Sequence, residues 1–293
     1  MRIGVYLPKI EKVNNGPMNF GNLLINKLKA KHEIILNEIV SVDVFYTNFC
    51  ILNMSTAEKI HDMGIPILCR TDGASPIHRP YSLHLKKIVD TFVFQSEYCK
   101  QCFEEITESA CDNSRIIYNG TAPKKFIKKK PLSLFLYGKV YPHREPHKYL
   151  KEMQHITQVW CKQNNVKFTF HVKGKNAEIN HDTFTKNMDS TNIFVHTVNN
   201  DPAPNTIIEA MMASNPVIAL KNGGSPELTC RELIVNPKNI ATELPKRLNL
   251  VKKEYDTYSK KCYDLAATKF DINIAHGKYE EELIKLGEKN VNG

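Results

Sequence analysis

A chain of 293 residues with 42% hydrophobic and 24% charged side chains has the composition of an ordinary globular protein, and its length favours two domains over one. Its longest apolar runs, VFYT from Val44 and SLFLY from Ser133, are strand-sized, well short of the roughly 18–20 residues of a membrane span. The opening RIGVYLP is closed by proline before any secretory apolar core develops, so a cytoplasmic protein is expected.

The net charge of +9 suits nucleic acid, an anionic membrane surface or phosphorylated small molecules equally well. No nucleic-acid-binding motif accompanies it, so nucleic acid is not expected as a partner, whereas peripheral contact with a membrane is compatible with the charge. The eight cysteines are scattered, and Cys99/Cys102 form the one CxxC pair, without a second pair or a His cluster. They read as reduced thiols on a helix, and no metal site is indicated.

In chain order, Ile3–Leu7 reads as a first strand, Asn14–Gly21 as a loop rich in Asn and Gly, and Phe20–Leu28 as a helix. Short β-branched or aromatic runs follow at Glu33–Leu36, Val42–Tyr46, Pro66–Cys69, Thr91–Phe94 and Arg115–Tyr118. Helical periodicity falls between them at Met54–Met63, Leu83–Val89 and Glu97–Ile106. The basic stretch Lys124–Lys130, KKFIKKK, reads as a solvated linker rather than a phosphate patch, and a boundary is placed near residues 121–131.

Beyond it the pattern restarts. Strands are expected at Leu132–Tyr137, Lys167–Val172, Ile193–Val198, Pro216–Leu220 and Leu233–Val235, with helices at Lys148–Cys161, Thr206–Ala213 and most of Ile240–Leu265. Alternating β and α segments imply parallel sheets covered on both faces, and such sheets bind ligands beyond the carboxyl ends of their strands. The loops that follow strands are therefore the ones to search.

The most informative of these is Val198–Ala210, VNNDPAPNTIIEA. A strand runs into a loop with two prolines, and a helix opens at about Asn205, a good N-cap residue, with Glu209 one turn inside. Free backbone N–H groups at a helix N-terminus bind anions, and carboxylates accept strong hydrogen bonds from vicinal hydroxyls. Asp201 and Glu209 flanking that terminus suit a ligand with phosphate in the middle and polyols at both ends; the plainer alternative is a capped helix whose acids complement its dipole. Asp72 and His78 follow a strand of the first half, where Asp72 either orients an acceptor hydroxyl or caps the Asp-Gly turn. His171 and His196 lie within strands and read as core or near-core residues.

Taken together, Asp201, Pro204-Asn205, Glu209-Ala210, Pro216-Val217-Ile218-Ala219 and Gly223-Gly224…Pro226-Glu227 resemble the signature of glycosyltransferase family 4, whose members are retaining enzymes of GT-B fold. The family's motif has two Glu separated by seven residues; here Asp201 and Glu209 keep the spacing, with the shorter acid first. Phe94–Lys100 (FQSEYCK), Ile117–Gly120 (IYNG), Cys69–Gly73 (CRTDG) and the stretch from Tyr137 to Lys148 are similar to further family segments.

The resemblance implies a GT-B α/β fold in which two Rossmann-like domains face each other across a cleft. Residues 1–125 would be the acceptor-side domain, 126–270 the nucleotide-sugar domain, and 271–293 a helix crossing back to the first. It implies transfer of a sugar from a nucleotide diphosphate sugar, UDP- or GDP-linked, to a hydroxyl of a glycan-type acceptor with retention, without cofactor or metal. Glu209 would take the ribose hydroxyls and Asp201 the sugar hydroxyls. Pro204, Asn205, Thr206, Gly223, Gly224 and Glu227 would complete the donor site, and Gly16 would approach the donor phosphates. Two cations are needed where charge builds on the leaving diphosphate; Arg144 and Lys148 are favoured, with Lys139 as the alternative to Arg144. Asp72 would act at the acceptor. The competing readings are a sugar-nucleotide epimerase of the same fold and a non-catalytic nucleotide- or glycan-binding module.

Overall fold

The protein is described from a computed structural model, which covers residues 1–7, 16–50, 52–73, 76–129, 133–139, 147–174 and 181–291. It divides into two compact units, Met1–Tyr118 with Asn273–Gly293, and Asn119–Ile272. The first unit contains β1 (Arg2–Tyr6), α1 (Gly16–Leu28), β2 (Glu33–Leu36), β3 (Val44–Asn48), α2 (Met54–Asp62), β4 (Ile67–Thr71), α3 (Arg79–Ile88), β5 (Thr91–Phe94), α4 (Glu97–Thr107) and β6 (Ser114–Ile116). The second contains β7 (Ser133–Lys139), α5 (Leu150–Gln163), β8 (Lys167–Lys173), α6 (His181–Ser190), β9 (Ile193–His196), α7 (Asn205–Met212), β10 (Val217–Leu220), α8 (Ser225–Leu228), β11 (Ile234–Val235), α9 (Ile240–Lys253) and α10 (Tyr255–Lys269). The chain then enters α11 (Ile272–Val291), which belongs to the first unit from Asn273 onward.

The first sheet is parallel in the order β2-β1-β3-β4-β5-β6. Alternate side chains of each strand point to opposite faces, and both faces are apolar, as a sheet covered on two sides requires. Val44, Tyr46, Leu68 and Val93 pack with Leu24 and Leu28 of α1 and Tyr279, Leu283 and Leu286 of α11. Phe45, Ile67, Cys69, Phe92 and Phe94 form the opposite core with Ile60 of α2, Leu85 of α3 and Phe103 of α4. The segment FQSEY starts α4 for a local reason: Ser96 is the N-cap, its hydroxyl accepting from Cys99 N at 2.9 Å, and Glu97 complements the positive end of the helix.

The second sheet is also parallel, in the order β11-β10-β9-β7-β8. The segment before β7 is tied to this unit. Thr121 bridges to Asp271, and Lys129 donates to Thr191 O, Ala213 O and Asn215 Oδ1 at 2.9, 2.7 and 3.0 Å. The division of the chain thus falls at Tyr118/Asn119, ahead of the basic stretch, because that stretch carries hydrogen bonds into the second unit. Trp160 of α5 is buried and donates its indole N–H to Asn249 Oδ1 of α9 at 2.7 Å.

One local expectation is corrected and two details are added. Gly16–Gly21 is the start of α1 rather than loop; Pro17 is tolerated there because the first turn of a helix has no use for its N–H. Ile240–Leu265 is interrupted at Glu254, giving α9 and α10. An additional helix, α6, occupies 181–190, where buried Phe184 and Met188 supply a single i, i+4 apolar pair.

Candidate functional site

In both sheets the chain steps from the first-formed strand to one side and then returns to the other. This creates switch points between β1 and β3 and between β7 and β9. Loops leaving adjacent strands diverge at such points, opening a crevice at the carboxyl ends. Lys139 closes β7 and His196 closes β9, so the second switch point holds a cation and an imidazole at its rim.

Asp201 lies in the loop that leaves β9, and Lys139 Nζ donates to its Oδ2 at 2.6 Å. Their side chains are 14% and 23% exposed, so the pair is largely withdrawn from solvent. Burial works against the ionised carboxyl, but the Lys139 ammonium, with help from Ala203 N at 3.3 Å, holds the pKa of Asp201 below the usual carboxylate value. His196 is fully buried, and burial together with Lys139 lowers its pKa to about 3, against the pull of Asp201. It is therefore neutral at working pH. Its ring stacks near Tyr137 and Phe194, and neither ring nitrogen finds a hydrogen-bond partner among the described residues.

The loop carrying Asp201 is locked to the loop after β10. Gly224 N donates to Asp201 O at 2.9 Å, and Asn222 Nδ2 donates to Asn199 Oδ1 at 2.5 Å. Gly223 has φ +55°, and a Cβ there would lie 2.5 Å from Asp201 O and 2.9 Å from Asp201 N. Gly223 is thus required by a close backbone approach, which fixes where the Asp201 backbone sits.

Helix α7 starts one residue earlier than an Asn205 cap would give. Pro204 occupies the N-cap and Asn205 is the first helical residue, with its Oδ1 accepting from Asn119 Nδ2 at 2.7 Å. Proline fits because its fixed φ, here −67°, leads into the helix. Asn119 is 4% exposed and was not singled out in the sequence beyond its place in IYNG, although it orients Asn205. Glu209 is half-buried on α7, and the hydroxyls of Thr206 and Ser225 are buried without a hydrogen-bond partner among the described residues. Glu227, on α8, is half-buried. Lys148 is exposed on the turn before α5, its ammonium 5.6 Å from the Tyr149 ring centroid. Arg144 lies outside the described residues. Gly16 opens α1 in the first unit.

The first unit holds a second polar cluster at the carboxyl ends of β3, β4 and β5. Arg70, 2% exposed, places Nη1 2.5 Å from Asp72 Oδ1. Asn48 donates to the other oxygen of Asp72, and Gln95 to Oδ1. The Arg70 guanidinium stands 4.4 Å from the Phe20 ring centroid, beside buried Tyr46 and Tyr279. Burial raises the pKa of Asp72 above the ordinary value, although Arg70 and the two amides pull it down. Three donors on one carboxylate make Asp72 the counter-ion of Arg70 before anything else. His78 is exposed on a short 3-10 turn (Pro76–His78), 6.0 Å from the Phe49 ring. Among the described residues no group of three or more His, Cys, Asp or Glu is placed to hold a metal ion. No helix among them is long and apolar enough to cross a membrane.

Two units built on parallel sheets with helices on their faces and candidate sites at strand carboxyl ends define the GT-B class of α/β fold. Residues 121–251 match the family model for Glycosyl transferases group 1, and the match includes the whole segment Asp201–Glu227, so the resemblance holds at the level of that group. No curated protein matches the chain in sequence. Solved structures do match in fold. HepE of Anabaena in complex with UDP aligns with a TM-score of 0.65 and 14% identity over 97% of this chain and 99% of that one. Sucrose-phosphate synthase of Thermosynechococcus elongatus aligns with a TM-score of 0.65 and 13% identity over 97% and 98% of the two chains. An E. coli structure described as trehalose-6-phosphate bound with UDP-2-fluoro glucose gives 0.67 and 12%, over 97% and 99%.

Proposed function

We propose that the chain transfers a glycosyl group from a nucleoside diphosphate sugar to an acceptor hydroxyl, with retention at the anomeric carbon. The observation that carries this reading is the Lys139–Asp201 pair at the switch point of the second sheet, within the segment matched by the glycosyltransferase model. Lys139 would meet the donor diphosphate as charge builds on it during departure, with Lys148 or Arg144 as a second cation. Asp201 would take sugar hydroxyls, and Glu209 the ribose hydroxyls. Backbone amides at the start of α7 and around Gly223–Gly224 would face phosphate and sugar. The UDP ligands of the HepE and E. coli structures support a uracil nucleotide as the first donor to try. The engagement of Asp72 by three donors argues against an epimerase that would need a free acid or base there.

A thermal-shift screen of UDP-, GDP-, ADP- and dTDP-glucose with EDTA present tests the reading. A ligand at a hundred times its Kd adds about 2.7 kcal/mol to stability, which a melting curve resolves. Stabilisation by at least one donor, accompanied by release of its nucleoside diphosphate in the presence of a sugar acceptor, is expected. If none of the four raises the melting temperature, with or without added magnesium, the donor-site assignment is wrong.

A further inference from the structure

Resting on that reading, we propose that the Lys139–Asp201 ion pair makes the site discriminate between a nucleoside diphosphate that carries a sugar and one that has lost it. Lys139 Nζ and the Asp201 carboxylate form an ion pair 2.6 Å apart. Their freedom to separate is unequal. Lys139 ends a strand and carries its ammonium on a flexible four-carbon stem, so it can turn toward a diphosphate. Asp201 cannot follow. Its backbone is held by Gly224 N on its carbonyl and by the close approach of Gly223, and its one-carbon stem gives the carboxylate far less reach than the lysine has.

When the ammonium turns to phosphate, the carboxylate keeps Ala203 N, at 3.3 Å, and loses its cation. His196 is a poor replacement for that cation, because full burial disfavours the charged imidazole. A withdrawn carboxylate without a counter-ion is costly, and the cost falls on whatever drew the lysine away. A nucleotide sugar offsets it, because sugar hydroxyls donate to Asp201 in place of the ammonium. A bare nucleoside diphosphate offers no donor there and carries the whole penalty. The pair therefore favours the loaded donor over the spent one. It also drives product release, as Lys139 returns to Asp201 once the sugar has gone.

Calorimetric titration of UDP and UDP-glucose, with the GDP and ADP pairs alongside, into wild type, Asp201→Asn and Lys139→Met tests this. In Asp201→Asn the lysine is released without penalty. Binding of the bare diphosphate should then tighten on the order of tenfold, within the usual range of coupling between groups, while binding of the nucleotide sugar weakens. Lys139→Met should weaken both ligands. Asp201→Ser gives the same test should the Asn variant fail to fold. If removing the carboxylate leaves the bare diphosphate no tighter, or if Lys139→Met leaves it unchanged, the proposal is overturned while the donor site stands. A wild type that binds none of the six ligands removes the donor-site reading, and the proposal with it.

Discussion

Lowering the pH from about 7.5 to about 4.5 is expected to weaken the second unit chiefly through His196, with His171 of β8, whose pKa burial also lowers, acting in the same direction. The folded pKa of His196, about 3, lies below the 6.5 of a free imidazole, because burial and Lys139 disfavour the charged form. Between those values the unfolded chain binds a proton that the folded unit refuses. The contribution of the neutral ring is therefore intact above pH 6.5 and is lost as the pH falls below it. Each pH unit through that window costs about 1.4 kcal/mol, so about 2.7 kcal/mol is gone by about pH 4.5. The ring is fully buried, so solvent screening does not reduce the figure. Asp201, with its lowered pKa, remains ionised in this range and does not confuse the sign. Trp160 is the single tryptophan and is buried in the same unit, so its fluorescence against urea reports this unit alone. The comparison is with His196→Phe, which keeps an aromatic ring beside Tyr137 and Phe194 and removes two unpartnered nitrogens. The variant is expected to be at least as stable as wild type at neutral pH and to lose far less on acidification. Equal acid losses in the two proteins would refute the assignment of the neutral imidazole.

Two further outcomes follow from the packing. Gly223→Ala combines a left-handed backbone angle with a Cβ 2.5 Å from the Asp201 carbonyl oxygen. It should cost roughly 1–3 kcal/mol in urea unfolding followed at Trp160 and shift the Asp201 carboxylate, reducing donor affinity as well; unchanged stability and affinity would show that the two loops are not locked together. Asp72→Ala leaves the Arg70 guanidinium buried without its carboxylate, and about 3–5 kcal/mol should be lost from the first unit. Far-UV circular dichroism melting measures that loss, and a variant within about 1 kcal/mol of wild type would mean that Arg70 does not depend on Asp72.

How much of this was legible in the sequence varied with how local the cause is. The strands announced themselves because Val44–Tyr46 or Phe92–Phe94 are apolar on both faces, and Ser96 signalled α4 because a cap acts within one turn. The loop from Asn199 to Asn205 was recognisable as the link between β9 and α7 for the same reason: strand end, prolines and helix start are contiguous. Other features depend on residues far apart. In the sequence Asp72 reads equally as an acceptor-orienting carboxylate or a turn cap; its pairing appears only when Asn48, Arg70 and Gln95 converge on it from three strand ends, with Tyr279 arriving from the terminal helix. Lys139 and Arg144 carry the same charge in sequence, and only the register of β7 against β9 identifies Lys139 as the partner of Asp201. Pro204 is the cap, and the side chain of Asn205 instead accepts from Asn119, a residue 86 positions away.

The first unit is assembled from two separated stretches of chain, and this sets an order of events during synthesis. Its core includes Tyr279, Leu283 and Leu286, which leave the ribosome after every residue of the second unit. Domains ordinarily fold in the order in which they are made. Here the later-made unit is the continuous one and has all its residues first, while the sheet made at the outset waits with one face covered by α1 but not yet by α11. During that interval Val44, Tyr46, Leu68 and Val93 lack the cover of Tyr279, Leu283 and Leu286. Shortening the chain before Asn273 would prolong that interval indefinitely and leave the Asp201 loop untouched.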